Sequence, residues 1–237
     1  MLWDEQALLA SIGEWLRAYE ASLAAENAVK GLDALEEVDL QPLITEAIRS
    51  LGFGVTREFI YPSFVLSKKG KRPRKFERPR CDFVLTPSAD LKPVDTVKDE
   101  EDVECHAGTL FAREPRAVDS TRIDPSECYW LELKVIGQYL YVDGVPRSHG
   151  AYASTLVASI TEDLGKLSAD DRITYGALLL MHFAEEHEIG KHDIPLALHR
   201  ALDRGKLFRS PYTCSFEIMD RIGNRVCTLT LIGKLTP

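Results

Sequence analysis

The sequence predicts an α/β fold, a central β-sheet flanked by helices, with a helical extension at the N-terminus and an insertion inside the domain. Three observations carry this. Apolar residues recur at helical spacing over 4–26, 39–52 and 151–167, whereas 80–85 and 129–135 follow the two-residue period of strands. Helical and strand-like stretches interleave along the chain, the pattern of helices laid over a sheet. At 237 residues, the chain is long enough to bury a sizeable core as one large domain with insertions.

The first element, residues 4–26, is an amphipathic helix, since Leu8, Leu9, Ile12, Trp15, Leu16, Tyr19 and Leu23 fall on one face. That face packs over the core or, as an exposed apolar surface, makes a homodimer contact through the N-terminal helices. Gly31 breaks the pattern, so residues 1–38 read as an extension to an α/β domain over 39–237. A second helix runs from Asp39, a good N-cap, to Gly52, a good C-terminal glycine, with Leu43, Ile44, Ala47, Ile48 and Leu51 as its core stripe. Glu46 borders that stripe, so it faces either the sheet or, like most glutamates, solvent.

A β-rich run from Phe53 to Leu66 follows, and then a basic stretch. Eight of residues 68–80 are Lys or Arg against one acid, Lys69, Lys71, Arg72, Arg74 and Lys75 among them, in a chain of formal net charge -8. The overall charge argues against a surface that is nucleic-acid footprint throughout, but a local patch of this kind attracts phosphates. Its plainer reading is a solvated hairpin tip. Residues 87–127 lack periodicity and turn acidic near 98–104; a stretch that long between strands is an insertion or a lid.

Next comes the run 129–135, in which Tyr129, Leu131, Leu133 and Val135 point to one face and Trp130, Glu132 and Lys134 to the other. Turns follow at 137–139 and 143–146, then the helix over 151–167, with Glu162, Asp163 and Lys166 toward its C-terminal part. The apolar run 172–181 reads as a buried strand. Asp193 caps a further helix ending near Gly205, and two strands, 212–219 and 225–232, are joined through Gly223 and Asn224.

The five cysteines are odd in number and scattered, without a C-x-x-C pair, which favours free thiols in a reducing compartment. The N-terminus lacks the basic region of a signal peptide and no apolar run reaches spanning length, so a cytoplasmic location is expected.

Ionised groups beside a buried sheet must be paired, metal-bound or functional. Glu132 and Lys134 on one strand, and Asp82 alone on the apolar run 80–85, therefore read as a metal site with a lysine beside it. The order helix, strand, Asp82 strand, Glu132-Leu133-Lys134 strand, helix, strand, helix, strands resembles the PD-(D/E)XK nuclease superfamily, the restriction-endonuclease-like fold with a mixed sheet. The resemblance covers about residues 39–183, with Cys81 in place of the motif's nominal proline and a long gap from Asp82 to Glu132. Since Glu and Lys are each roughly 6% of average sequence, a chain of this length holds about one Glu-x-Lys by chance. Its weight lies in its placement.

The resemblance implies that Asp82, Glu132 and the backbone carbonyl of Leu133 hold magnesium or manganese, that Lys134 acts in catalysis, and that Glu46 supplies an extra first-helix acid. It further implies that Gln138 contacts the substrate and that Asp163 and Lys166 lie where substrate contacts occur, although an i,i+3 surface pair is their plainer reading. The expected function is a metal-dependent nuclease acting on nucleic acid, DNA in the first place. The alternatives are an inactive module of the same fold that binds nucleic acid or a protein, and an interaction protein assembled through its N-terminal helices. Nucleophile-elbow, P-loop and dinucleotide-binding signatures are absent. His187-Glu188 and His192 imitate a zinc motif, but five residues turn the two histidines roughly 140° apart on a helix, and a loop is expected there.

Overall fold

A computed structural model describes residues 3–63, 78–99 and 119–235. Its centre is a six-stranded sheet of β1 (Gly54–Ile60), β2 (Arg80–Thr86), β5 (Tyr129–Gly137), β8 (Tyr175–Ala184), β9 (Tyr212–Glu217) and β10 (Val226–Gly233), in the order β1-β2-β5-β8-β10-β9. The sheet is mixed. Only β5 and β8 run parallel, joined by a helical crossover, and every other pair is antiparallel.

Helices cover both faces. α1 (Glu5–Ala25) and α2 (Glu37–Arg49) lie on one face, against Phe83, Leu85, Leu131, Leu133, Leu179 and Leu229. α3 (Tyr152–Ala169) and α4 (His187–Asp203) lie on the other, against Ile136, Leu178, Leu180 and Ile232. The strand period sorts β5 as expected, with Tyr129, Leu131 and Leu133 in the first core and Trp130 and Ile136 on the second face. α1 is part of the main core through Leu8, Leu9, Ile12 and Leu16, all buried with the sheet.

Two short sheets hang on this frame. β3 (Lys92–Pro93) and β4 (Arg122–Ile123) pair within the expected insertion, outside the main sheet. β6 (Tyr139–Val142) and β7 (Val145–Ser148) form a hairpin. Its two-residue turn places Asp143 and Gly144 at φ 52° and 77°, the left-handed values that a tight hairpin twist needs.

Three expected boundaries are corrected. α2 begins three residues early, because Glu36 is its N-cap and Asp39 serves as the reciprocal member of the capping box. Its expected core residue Leu51 lies beyond the helix end, exposed. α4 begins at His187 rather than after Asp193, so His187 and His192 are helical and not in a loop; Asp193 sits inside the helix and accepts a hydrogen bond from the Tyr152 hydroxyl at 3.0 Å. Residues 64–77, with Lys69, Lys71, Arg72, Arg74 and Lys75, and residues 100–118 lie outside the described residues.

Candidate active site at the fork between two strands

β2 and β5 pair over only three positions, Phe83 with Leu131, Val84 with Trp130 and Leu85 with Tyr129. Beyond them β2 continues beside β1 and β5 beside β8, so the sheet opens into a fork. Extending the register by one step sets Asp82 opposite Glu132 on the α3 face. Opposed residues of an antiparallel pair have Cβ atoms about 5 Å apart. The backbone bond lost there is replaced by a side chain: the Leu133 amide donates to Asp82 Oδ2 at 2.7 Å. Because the N–H and C=O of one strand residue project to the same edge, the Leu133 carbonyl also faces the fork.

The charge of Asp82 therefore bears on Glu132 and works to keep it protonated. Glu132 is 4% exposed. Burial pushes its pKa up to about 8; the Tyr61 hydroxyl bonded to Oε1 works against this and Asp82 reinforces it. Asp82 is likewise raised, by burial first, with the Leu133 amide opposing. Tyr61 is stacked on Trp130 with ring centroids 5.7 Å apart, which fixes its hydroxyl on Glu132.

Two lysines flank the acids. Lys134 Nζ lies 2.8 Å from Glu37 Oε1, and Lys166 Nζ lies 2.7 Å from Asp163 Oδ1. Burial works to lower each lysine, but the bond and charge of its partner outweigh it and hold it above its ordinary value. Both stay cationic. The fields of Lys134 and Lys166 both reach Asp82, and that of Lys166 also reaches Glu132. Asp163 is 3% exposed, and its Oδ2 has no hydrogen-bond partner. The expected surface pair on this helix is therefore a buried acid holding a lysine toward the fork.

α2 contributes more than expected and through other residues. Gln41, 3% exposed, donates to Glu58 Oε1 at 3.1 Å and to Asp82 Oδ1 at 3.4 Å. Glu37 accepts from the Val135 amide at 3.2 Å as well as from Lys134. Glu46 does not join them. It lies exposed on the outer face of the helix, paired with Arg49 at 2.9 Å. Gln138 is committed elsewhere too: its Oε1 accepts from the Glu185 amide at 3.0 Å, which ties the hairpin to the end of β8. Tyr61, Glu37, Gln41 and Glu58 were missed in the sequence, where nothing marks them apart from other strand and helix polar residues.

The donor set suits a hard divalent cation. Two carboxylates and a backbone carbonyl are the oxygen ligands that magnesium or manganese accepts together with water and phosphate. The raised acids fit the same reading, since a bound cation would offset the burial that disfavours their charged forms. Among the described residues no three His, Cys, Asp or Glu side chains form a metal cage. His182 is buried, hydrogen-bonded to the Tyr152 oxygen, and held down at about 4 by burial.

The four cysteines among the described residues are free thiols. No described helix is long and apolar enough to cross a membrane. No family model, curated protein or solved structure matches this chain.

Proposed function

We propose that this protein is a metal-dependent nuclease that hydrolyses phosphodiester bonds of nucleic acid, DNA in the first place, at Asp82, Glu132 and Lys134. The observation that carries the reading is the pair of carboxyls opposed across the fork, Asp82 bonded by the Leu133 amide, with two tethered lysines beside them. A structural ion pair would need neither the second acid nor the second cation.

Asp82, Glu132 and the Leu133 carbonyl would hold magnesium or manganese. What the ion supplies when bound is Lewis acidity toward a phosphoryl oxygen and toward a water. Lys134, fixed by Glu37, directs its ammonium at the charge that develops on the phosphoryl oxygens. Lys166, fixed by Asp163, adds positive field from the opposite side of the acids. Tyr61 and Gln41 hold Glu132 and Asp82 in place without touching the substrate, the part that surrounding hydrogen bonds play at metal sites.

Cleavage of single-stranded and duplex DNA and of RNA in magnesium tests this. Lys134→Ala should lower kcat at least about 100-fold while metal affinity and melting temperature hold. Lys166→Ala should cost about tenfold. Wild-type protein inert on all three polymers, or cleavage indifferent to Lys134→Ala, would overturn the reading.

A further inference from the structure

A cleft of about 520 Å³ opens beside the fork, at the carboxyl ends of the parallel pair β5 and β8. Ligands of α/β folds bind outside the carboxyl ends of parallel strands. Glu37, which holds Lys134, lines it, as do Val135 and Ile136 on the strand that carries Glu132. Glu37 is thus shared between the cleft and the tether of Lys134.

The cleft is built rather than incidental. Asn224, fully buried, accepts from the Tyr139 amide at 3.2 Å and donates to the Tyr139 carbonyl at 3.1 Å and to Asp33 Oδ2 at 3.0 Å. One side chain thus locks the floor from two distant segments. Gly223, at φ 117°, lies against the Tyr139 ring; a Cβ there would fall 2.8 Å from ring carbons. The ring is held flat by a backbone that only glycine allows.

Its chemistry is selective. Leu35, Leu140 and Phe183 give apolar walls, while Asp33, Glu36 and Glu37 give acceptors. Such a lining repels a phosphate and suits a flat, neutral group bearing N–H donors. A nucleobase with an exocyclic amino group has that character, and the volume falls within the usual range for small-molecule sites.

We infer that this cleft takes an unpaired nucleobase of the substrate strand, next to the phosphate under attack. The inference rests on the nuclease reading and deepens it. A base in the cleft is unstacked, so the substrate class is single strands, frayed ends or mismatched positions in preference to intact duplex.

The test separates the two readings. Adenosine, cytidine and inorganic phosphate are titrated into labelled protein in the absence of polymer, and backbone amide shifts are followed by NMR. Adenosine and cytidine should shift Gly137, Tyr139, Leu140 and Thr155 saturably, phosphate should not, and Thr155→Trp, which fills the cleft from α3, should abolish the shifts while the other resonances hold. No nucleoside-induced shift at these positions, or shifts that survive Thr155→Trp, would overturn the cleft assignment whatever the protein cleaves. In parallel, an abasic nucleotide beside the scissile phosphate of a single strand should raise KM about tenfold for wild type and leave Thr155→Trp unchanged. Nucleoside binding without any cleavage overturns the nuclease reading and leaves the cleft standing; cleavage without nucleoside binding does the reverse.

Discussion

At neutral pH the buried carboxyl of Glu132 keeps its proton, because burial, and after it Asp82, hold its pKa at about 8 against the pull of Tyr61. In the unfolded chain the same group titrates near 4.5. The folded state thus binds the proton more tightly, and the stability this brings is complete below pH 4.5, shrinks as pH rises, and is gone once pH passes 8. Metal-free wild type should therefore lose melting temperature between pH 5 and 9, whereas Glu132→Gln, which cannot ionise, should not follow. At pH 9 the glutamine variant should melt higher by about 5 °C or more. Parallel melting curves for the two proteins across that range would refute the account. Magnesium should reverse the order most strongly at high pH, where both carboxylates are free to bind it. The pair destabilises the protein on which it sits, as expected of groups kept for chemistry.

The elements show what was legible in the sequence and what was not. The alternation over 129–135 put Glu132 and Lys134 on one face and Leu131 and Leu133 on the other, because a strand's period leaves no choice once one face is apolar. The helix gave less. Glu37 and Glu46 are nine residues apart, about two and a half turns, so they project in opposite directions. Both border the apolar stripe, and a stripe alone does not say which flank meets the sheet edge. Glu37, in the first turn, also resembles an ordinary acid at a helix N-terminus. Asp193 misled for a related reason, since its carboxylate looks like a cap but is spent on Tyr152. Gln138 shows how a polar residue near a motif can be structural. Gln138→Ala should leave the Glu185 amide without its partner and loosen the hairpin over 139–148, with amide hydrogen exchange there faster by about tenfold while β5 and β8 keep their protection. Unchanged exchange would mean that the hairpin is held by other contacts.

For the molecule as a whole, α1 is the element whose role the sequence left open. Its apolar stripe is consumed by α2, β9, β10 and the central strands, with Trp3 tilted against Phe53 and Tyr129, save for Trp15, which was expected on that face and lies exposed. The buried Glu5 carboxylate accepts from Tyr129 at 2.6 Å, and Glu20 is paired with the nearly buried Arg221. Removing residues 1–30 should therefore abolish cooperative unfolding instead of converting a dimer to a monomer, with loss of the thermal transition as the measurement. A truncated chain that melts cooperatively would restore α1 as a separable extension. The fork has one more consequence, for folding itself. Were β5 to slip by one residue against its neighbours, Glu132 and Lys134 would be driven between the sheet and α1 and α2, while Leu131 and Leu133 would face the cations. Misregistered pairing is thereby penalised by a stranded ammonium and a stranded carboxyl at once, so the groups proposed to cut a phosphodiester also guard the sheet against assembling out of step.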